Sequence, residues 1–176
     1  MRRPLAALSL AALALLAPTV PAAVQAQEEP QKVLESTSTG LNLATINAKV
    51  AQGDAAAAAG KLSQAKADYD EARLAARKLA GFYRTLSGAF RGLDARIPRE
   101  MDDKGRQALE LQATIDLRLA AVLRRMNQPE VAVPLLVEVV QIMSPASPQG
   151  QKAYQTLVEL GFVATPYAGA TAPAGS

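Results

Sequence analysis

"LSQAKADYDEARLAARKLAGFYRTLSGAF" runs from Leu62 to Phe90. Within it Leu62, Ala65, Tyr69, Ala72, Ala76, Leu79, Tyr83, Leu86 and Phe90 recur at alternating steps of three and four. Such spacing places apolar residues on one face of a helix, so the stretch predicts one long helix with a continuous seam over four heptads. A second stripe follows in Ala108, Leu111, Ile115, Leu119, Val122 and Met126. The connection between the two is short, which predicts an antiparallel pair.

Three shorter helices complete the expected set. Leu41 to Ala58 carries Leu43, Ile46 and Val50 on one face and stops near Gly60. Pro129 to Met143 is apolar nearly all round, which predicts the most buried helix, with Pro134 in or near its first turn. Ser147 and Pro148 read as the cap and first residue of a last helix, Gly161 as its stop, and Phe162 as folding back on its final turn. The fold class expected is all-α: about five helices in hairpins, spanning 41–163, on a spine of two long antiparallel helices.

The ends of the chain differ in character. Arg2 and Arg3 precede an apolar run, Leu5 to Leu16, that is too short to span a bilayer, and then small residues up to Ala26. That pattern predicts a signal peptide, 1–26, cleaved after Ala26. Residues 27–40 read as a flexible leader and 164–176, rich in Ala, Gly and Pro, as a disordered tail. The expected destination is the periplasm or the exterior.

Composition narrows the chemistry. The chain has 19 Lys and Arg against 16 Asp and Glu. Without Arg2 and Arg3 the balance is 17 against 16, so the basic pI gives no case for nucleic acid. Cysteine and histidine are both absent. Disulfides, thiol chemistry, Ser-His and Cys-His triads and the commonest metal ligand go with them. No phosphate loop, dinucleotide fingerprint or nucleophile elbow occurs, and the acids of "DYDEA" (Asp68 to Ala72) diverge around their helix. No cofactor and no metal are expected.

Two surfaces draw attention. Lys66, Arg73, Arg77, Arg84 and Arg91 stay close to one line along the long helix, with no acid between Arg73 and Arg91. The line is either a ridge for an acidic protein, an anionic membrane surface or a polyanionic wall polymer, or a row whose stems cover the core edge and whose charges pair with the next helix. Gly81, Thr85, Gly88 and Gly92 form a small-residue line beside Phe82. It points to close approach of another helix, or to a groove in which Phe82 anchors a partner. The corner "RGLDARIPREMDDKGR" (Arg91 to Arg106) has nine charged residues among sixteen. Gly92 ends one helix there, Pro98 suits the first turn of the next, and Glu100, Asp102 and Asp103 meet the positive end of its dipole. Arg91, Arg96 and Arg99 are left over, either as part of a charged, solvated connection between helices or as a patch for a partner. The partner-binding candidates are thus Arg77, Phe82, Arg84, Arg91, Arg96 and Arg99.

"GDAAAAAGKLSQAKADYDEA" resembles a tetratricopeptide repeat through Gly53, Gly60, Ala65, Tyr69 and Ala72. "LAAVLRRMNQPEVAVPLLVEVV" resembles one through Leu119, Ala120, Leu123, Asn127, Ala132, Leu136 and Val139. The matches lie further apart than one repeat, so the resemblance implies tetratricopeptide-like hairpins, not a concave array. Through "GFYRTLSGAFRGLDARIPREMD" (Gly81 to Asp102), "PLLVEVVQIM" (Pro134 to Met143) and "GFVATPY" (Gly161 to Tyr167) the chain as a whole also resembles an exported cyanobacterial family, which implies the thylakoid lumen as a further destination beside the periplasm. The function expected is an exported, non-catalytic protein-interaction module, a scaffold or assembly factor. The alternative is a carboxylate-based envelope hydrolase or transferase using Glu100, Asp102 or Asp103.

Overall fold

The computed structural model describes residues 41–167. The segments read as signal peptide and leader, and the tail from 168 on, lie outside the described residues. Five helices and no strand form among those described: α1 Leu43–Ala58, α2 Leu62–Ala89, α3 Arg96–Arg125, α4 Pro129–Met143 and α5 Pro148–Glu159. The all-α class and the helix count agree with the periodicity. Each helix packs chiefly on the next in sequence, and α2 with α3 makes the most extensive pair.

Caps set the helix bounds. α1 begins two residues later than Leu41 because Asn42 is its cap, its side chain accepting from the Thr45 N–H at 2.7 Å. At the far end the Lys61 N–H reaches back to the Ala56 carbonyl at 2.9 Å around Gly60, whose φ is +73°. The α3 end repeats this closure: the Gln128 N–H bonds the Leu123 carbonyl at 2.9 Å around Asn127 at φ 59°. Asparagine is the non-glycine residue that visits this region most readily. α5 starts with Ser147 accepting from the Gly150 N–H at 3.0 Å, and it ends with the Phe162 N–H on the Leu157 carbonyl at 3.0 Å. The backbone at Phe162 does fold back, but its ring stays exposed.

The α2 seam is buried from Ala65 through Tyr83 and then swings away. Leu86 is exposed, Phe90 only half-covered, and Ser87 is buried instead. A straight helix turns 100° per residue, so measured from Ala65, Leu86 lies about 60° off line and Ser87 about 40° off on the other side. By the fourth heptad the helical period has overtaken the heptad one.

Three expectations need correction. α4 is not the most deeply buried helix: Ala132, Leu135, Leu136 and Val139 are buried, but Val133, Val137 and Val140 are half-covered and Val131 is exposed. Only α3 and α5 flank it closely. Pro134 lies near the first turn, as expected, at the start of the second, and both it and Glu130, whose carbonyl loses its partner, are exposed. Among the described residues no helix approaches Gly81 or Gly88, where an added Cβ would meet nothing within 4 Å. The close approach is at Gly53 on α1, where a Cβ would fall 2.7 Å from a ring carbon of Tyr69. Residues 164–167, read as the start of the tail, are tied to α5: the Tyr154 hydroxyl donates to the Thr165 carbonyl at 2.8 Å and the rings of Tyr154 and Tyr167 meet edge to face.

Candidate interaction surface

The basic row along α2 divides in two. Lys66 pairs with Asp70 one turn on, at 2.7 Å. Arg73 is inserted between helices, bonding Asp116 of α3 and Glu138 of α4, and Arg77 bonds Glu138 as well. Arg73 is only 18% exposed against 49% for Arg77. This half of the row therefore holds α3 and α4 to α2, and Arg77 is not a free cation. Arg84 and Arg91 have no ion-pair partner among the described residues.

The buried end of that network is the feature sequence reasoning missed. Asp116 is 0% exposed and Gln112 is buried one turn before it. One Asp116 oxygen accepts from Arg73, and the other has no hydrogen-bond partner. Burial pushes the Asp116 carboxyl up to about 6, against the pull of Arg73. Burial works the same way on Glu138, but Arg77 and Arg73 outweigh it and hold that carboxyl below its usual range. Gln112 donates to Glu138 at 2.9 Å. The available signal was Asp116 itself, a charge set between Ile115 and Leu119 on the apolar face of α3.

Beyond Ser87 on α2 and before Ala108 on α3 no residue is buried. α1 reaches only to the level of Tyr83, where Leu43 lies beside Lys104 and Gln107. The far end of the spine is thus a two-helix tip. Arg84, Arg91 and Arg106 surround a shallow groove of about 300 Å³ there, over Met101 and Leu109, with Asp102 on its rim. Arg99 is exposed without an ion-pair partner among the described residues, whereas Arg96 is clamped by Asp94, which also accepts the Arg96 N–H at 2.9 Å. Apolar groups accompany these cations. Leu93 is 79% exposed, Leu86 is exposed, and Phe82 is 45% exposed with the Lys78 ammonium 5.8 Å from its ring centre.

The acids of the corner serve differently from the dipole reading. α3 starts at Arg96, so Pro98 does fall in its first turn, but no acid does. Glu100 pairs with Lys104 at 2.6 Å and Asp103 with Arg106, as neighbours on one helix surface. Among the described residues no group of three acidic side chains is placed to hold a metal ion, and no helix is long and apolar enough to cross a membrane. No family model, curated protein or solved structure matches the chain.

Proposed function

We propose that this chain is a non-catalytic helical interaction module, an exported scaffold or assembly factor, that docks an acidic partner protein on the tip of its α2–α3 spine. One observation carries the reading: among the described residues Arg84, Arg91 and Arg99 have no ion-pair partners and stand beside exposed Phe82, Leu86 and Leu93 where no third helix covers the pair. Apolar centres edged by cations are what an interface with an acidic surface requires. The tetratricopeptide-like reading is supported by the hairpins that both quoted stretches form, with small Gly53 and Ala132 buried where helices meet. Glu100 and Asp103, two of the three candidate acids of the hydrolase alternative, are engaged in surface ion pairs.

The test is crosslinking with mass spectrometry in the native compartment, on the parent and on a variant with Arg84→Glu, Arg91→Glu and Arg99→Glu. Crosslinks from the tip to a partner should be lost in the variant while helicity is kept. A variant that captures the same partner equally well overturns the reading.

A further inference from the structure

Further along α3, past Ala113, a separate groove of about 340 Å³ opens between α3 and α5. Arg118 and Arg124 line it from α3 and Lys152 from α5, over a floor that includes Leu117, Ala121 and Leu136. No acidic side chain lines it. Two of the cations are aimed by carboxylates at the rim. Asp54 on α1 accepts from Arg118 and, at 2.6 Å, from the buried hydroxyl-bearing side chain of Tyr69. A carboxylate anchored in this way fixes the guanidinium that bonds it. Arg124 is similarly tethered to Glu159 of α5 at 3.3 Å. Each tether occupies one donor of five, so both guanidiniums keep others for a ligand. Lys152 has no ion-pair partner among the described residues.

Held cations above an apolar floor match an oxyanion joined to hydrocarbon. Arginine suits carboxylate and phosphate oxygens by its planar fork. The volume is near the lower end for ligand pockets, so it admits a short chain. We infer that this groove binds an aliphatic oxyanion, a carboxylate or phosphate on a short hydrocarbon stem, with its oxygens on Arg118, Arg124 and Lys152 and its stem on Leu117, Ala121 and Leu136. Such a group arrives either as a free small molecule or as an acidic side chain of a peptide. The site does not depend on the docking surface at the tip.

The experiment is a titration of the full chain followed by proton–nitrogen NMR, with three probes: glutarate, inorganic phosphate, and a blocked Ala-Glu-Ala peptide. Glutarate or the peptide should give saturable shifts at Ala121, Arg124 and Lys152 with a Kd of about 0.1–1 mM. Phosphate, lacking a stem, should bind at least 5-fold more weakly. A peptide that matches glutarate identifies an acidic segment as the ligand, and preference for glutarate identifies a free molecule; both support the site. Arg124→Gln with Lys152→Gln should lower affinity 10-fold or more, and Ala121→Leu, which fills the floor and leaves every charge, should abolish binding. Arg84→Gln with Arg91→Gln should change nothing. The inference is overturned by any of three results: no saturable shift up to 20 mM, phosphate binding as well as glutarate, or a tip variant that loses as much as the groove variants.

Discussion

Gly53 of α1 lies against the ring of Tyr69 of α2, and the Tyr69 hydroxyl is tied to the neighbouring Asp54 at 2.6 Å. The ring cannot retreat without breaking that bond; burial and the Asp54 carboxylate push the phenol up to about 12, so it stays a protonated donor. A methyl group at position 53 would therefore force the helices apart. Gly53→Ala should destabilise by about 1–2 kcal/mol in urea unfolding, overpacking outweighing the better helix propensity of alanine.

The same substitution elsewhere should act with the opposite sign. Gly81 and Gly88 face open space within α2. Gly81→Ala and Gly88→Ala should each raise stability by up to about 1 kcal/mol. A loss in the isolated chain would mean that another helix lies on this face.

Asp116 should give stability an unusual dependence on acid. Its folded carboxyl is raised to about 6, above the unfolded value near 3.8. The folded form thus binds a proton more readily than the unfolded one, and this group's contribution is fully present below the unfolded value and lost as pH rises through about 6. The unfolding free energy measured in urea should rise between pH 7 and pH 5 by something on the order of 1 kcal/mol, with the rest gained only as pH falls further toward the unfolded value. Glu138, held low, acts in the other sense: its contribution is present above its unfolded value and is lost only as pH falls through the lower folded one. Asp116→Asn should be no less stable than the parent at pH 7 and should lack the rise. A parent midpoint that falls steadily from pH 7 to pH 5 would contradict this account.

The two halves of the basic row should separate under mutation. Arg73→Met strands Asp116 without its cation and should cost about 3–5 kcal/mol. Arg77→Met breaks a half-exposed pair and should cost about 1 kcal/mol or less. Arg84→Met should stay within about 0.5 kcal/mol of the parent, since nothing in the fold uses that charge. Thermal unfolding of the three variants measures the order.

For export, protein recovered from the extracytoplasmic compartment should begin at Gln27. N-terminal sequencing reads this directly, and an intact Met1 in a membrane fraction would count against cleavage.

Local signals carried far along this chain. The seam from Ala65 to Tyr83 and the caps at Ser147 and Gly161 need only neighbours in sequence, and they stand where the spacing puts them. What escaped depends on residues far apart. Nothing near Arg73 or Arg77 announces Glu138, which lies more than 60 positions away and turns half of an apparent ridge into an internal brace. The partial exposure of α4 could not be read from its valines, because it follows from there being no helix on its outer side. The groove cations Arg118, Arg124 and Lys152 have ordinary spacing in the sequence, and only the packing of α5 on α3 brings them together.

Helices that lean chiefly on their neighbours in sequence also fix an order of assembly. Contacts of this kind close short loops, so little chain entropy is lost before packing begins. A chain emerging N-terminus first, from a ribosome or a translocation pore, can fold α1 onto α2 before α4 has appeared. Asp116 joins that growing stack with α3 and meets Arg73 at once, while Glu138 arrives only with α4. The fourth helix to emerge thus completes the brace, and a chain stalled before residue 138 would hold Arg73 on Asp116 alone and leave Arg77 without its carboxylate, a basic edge that the finished protein does not show.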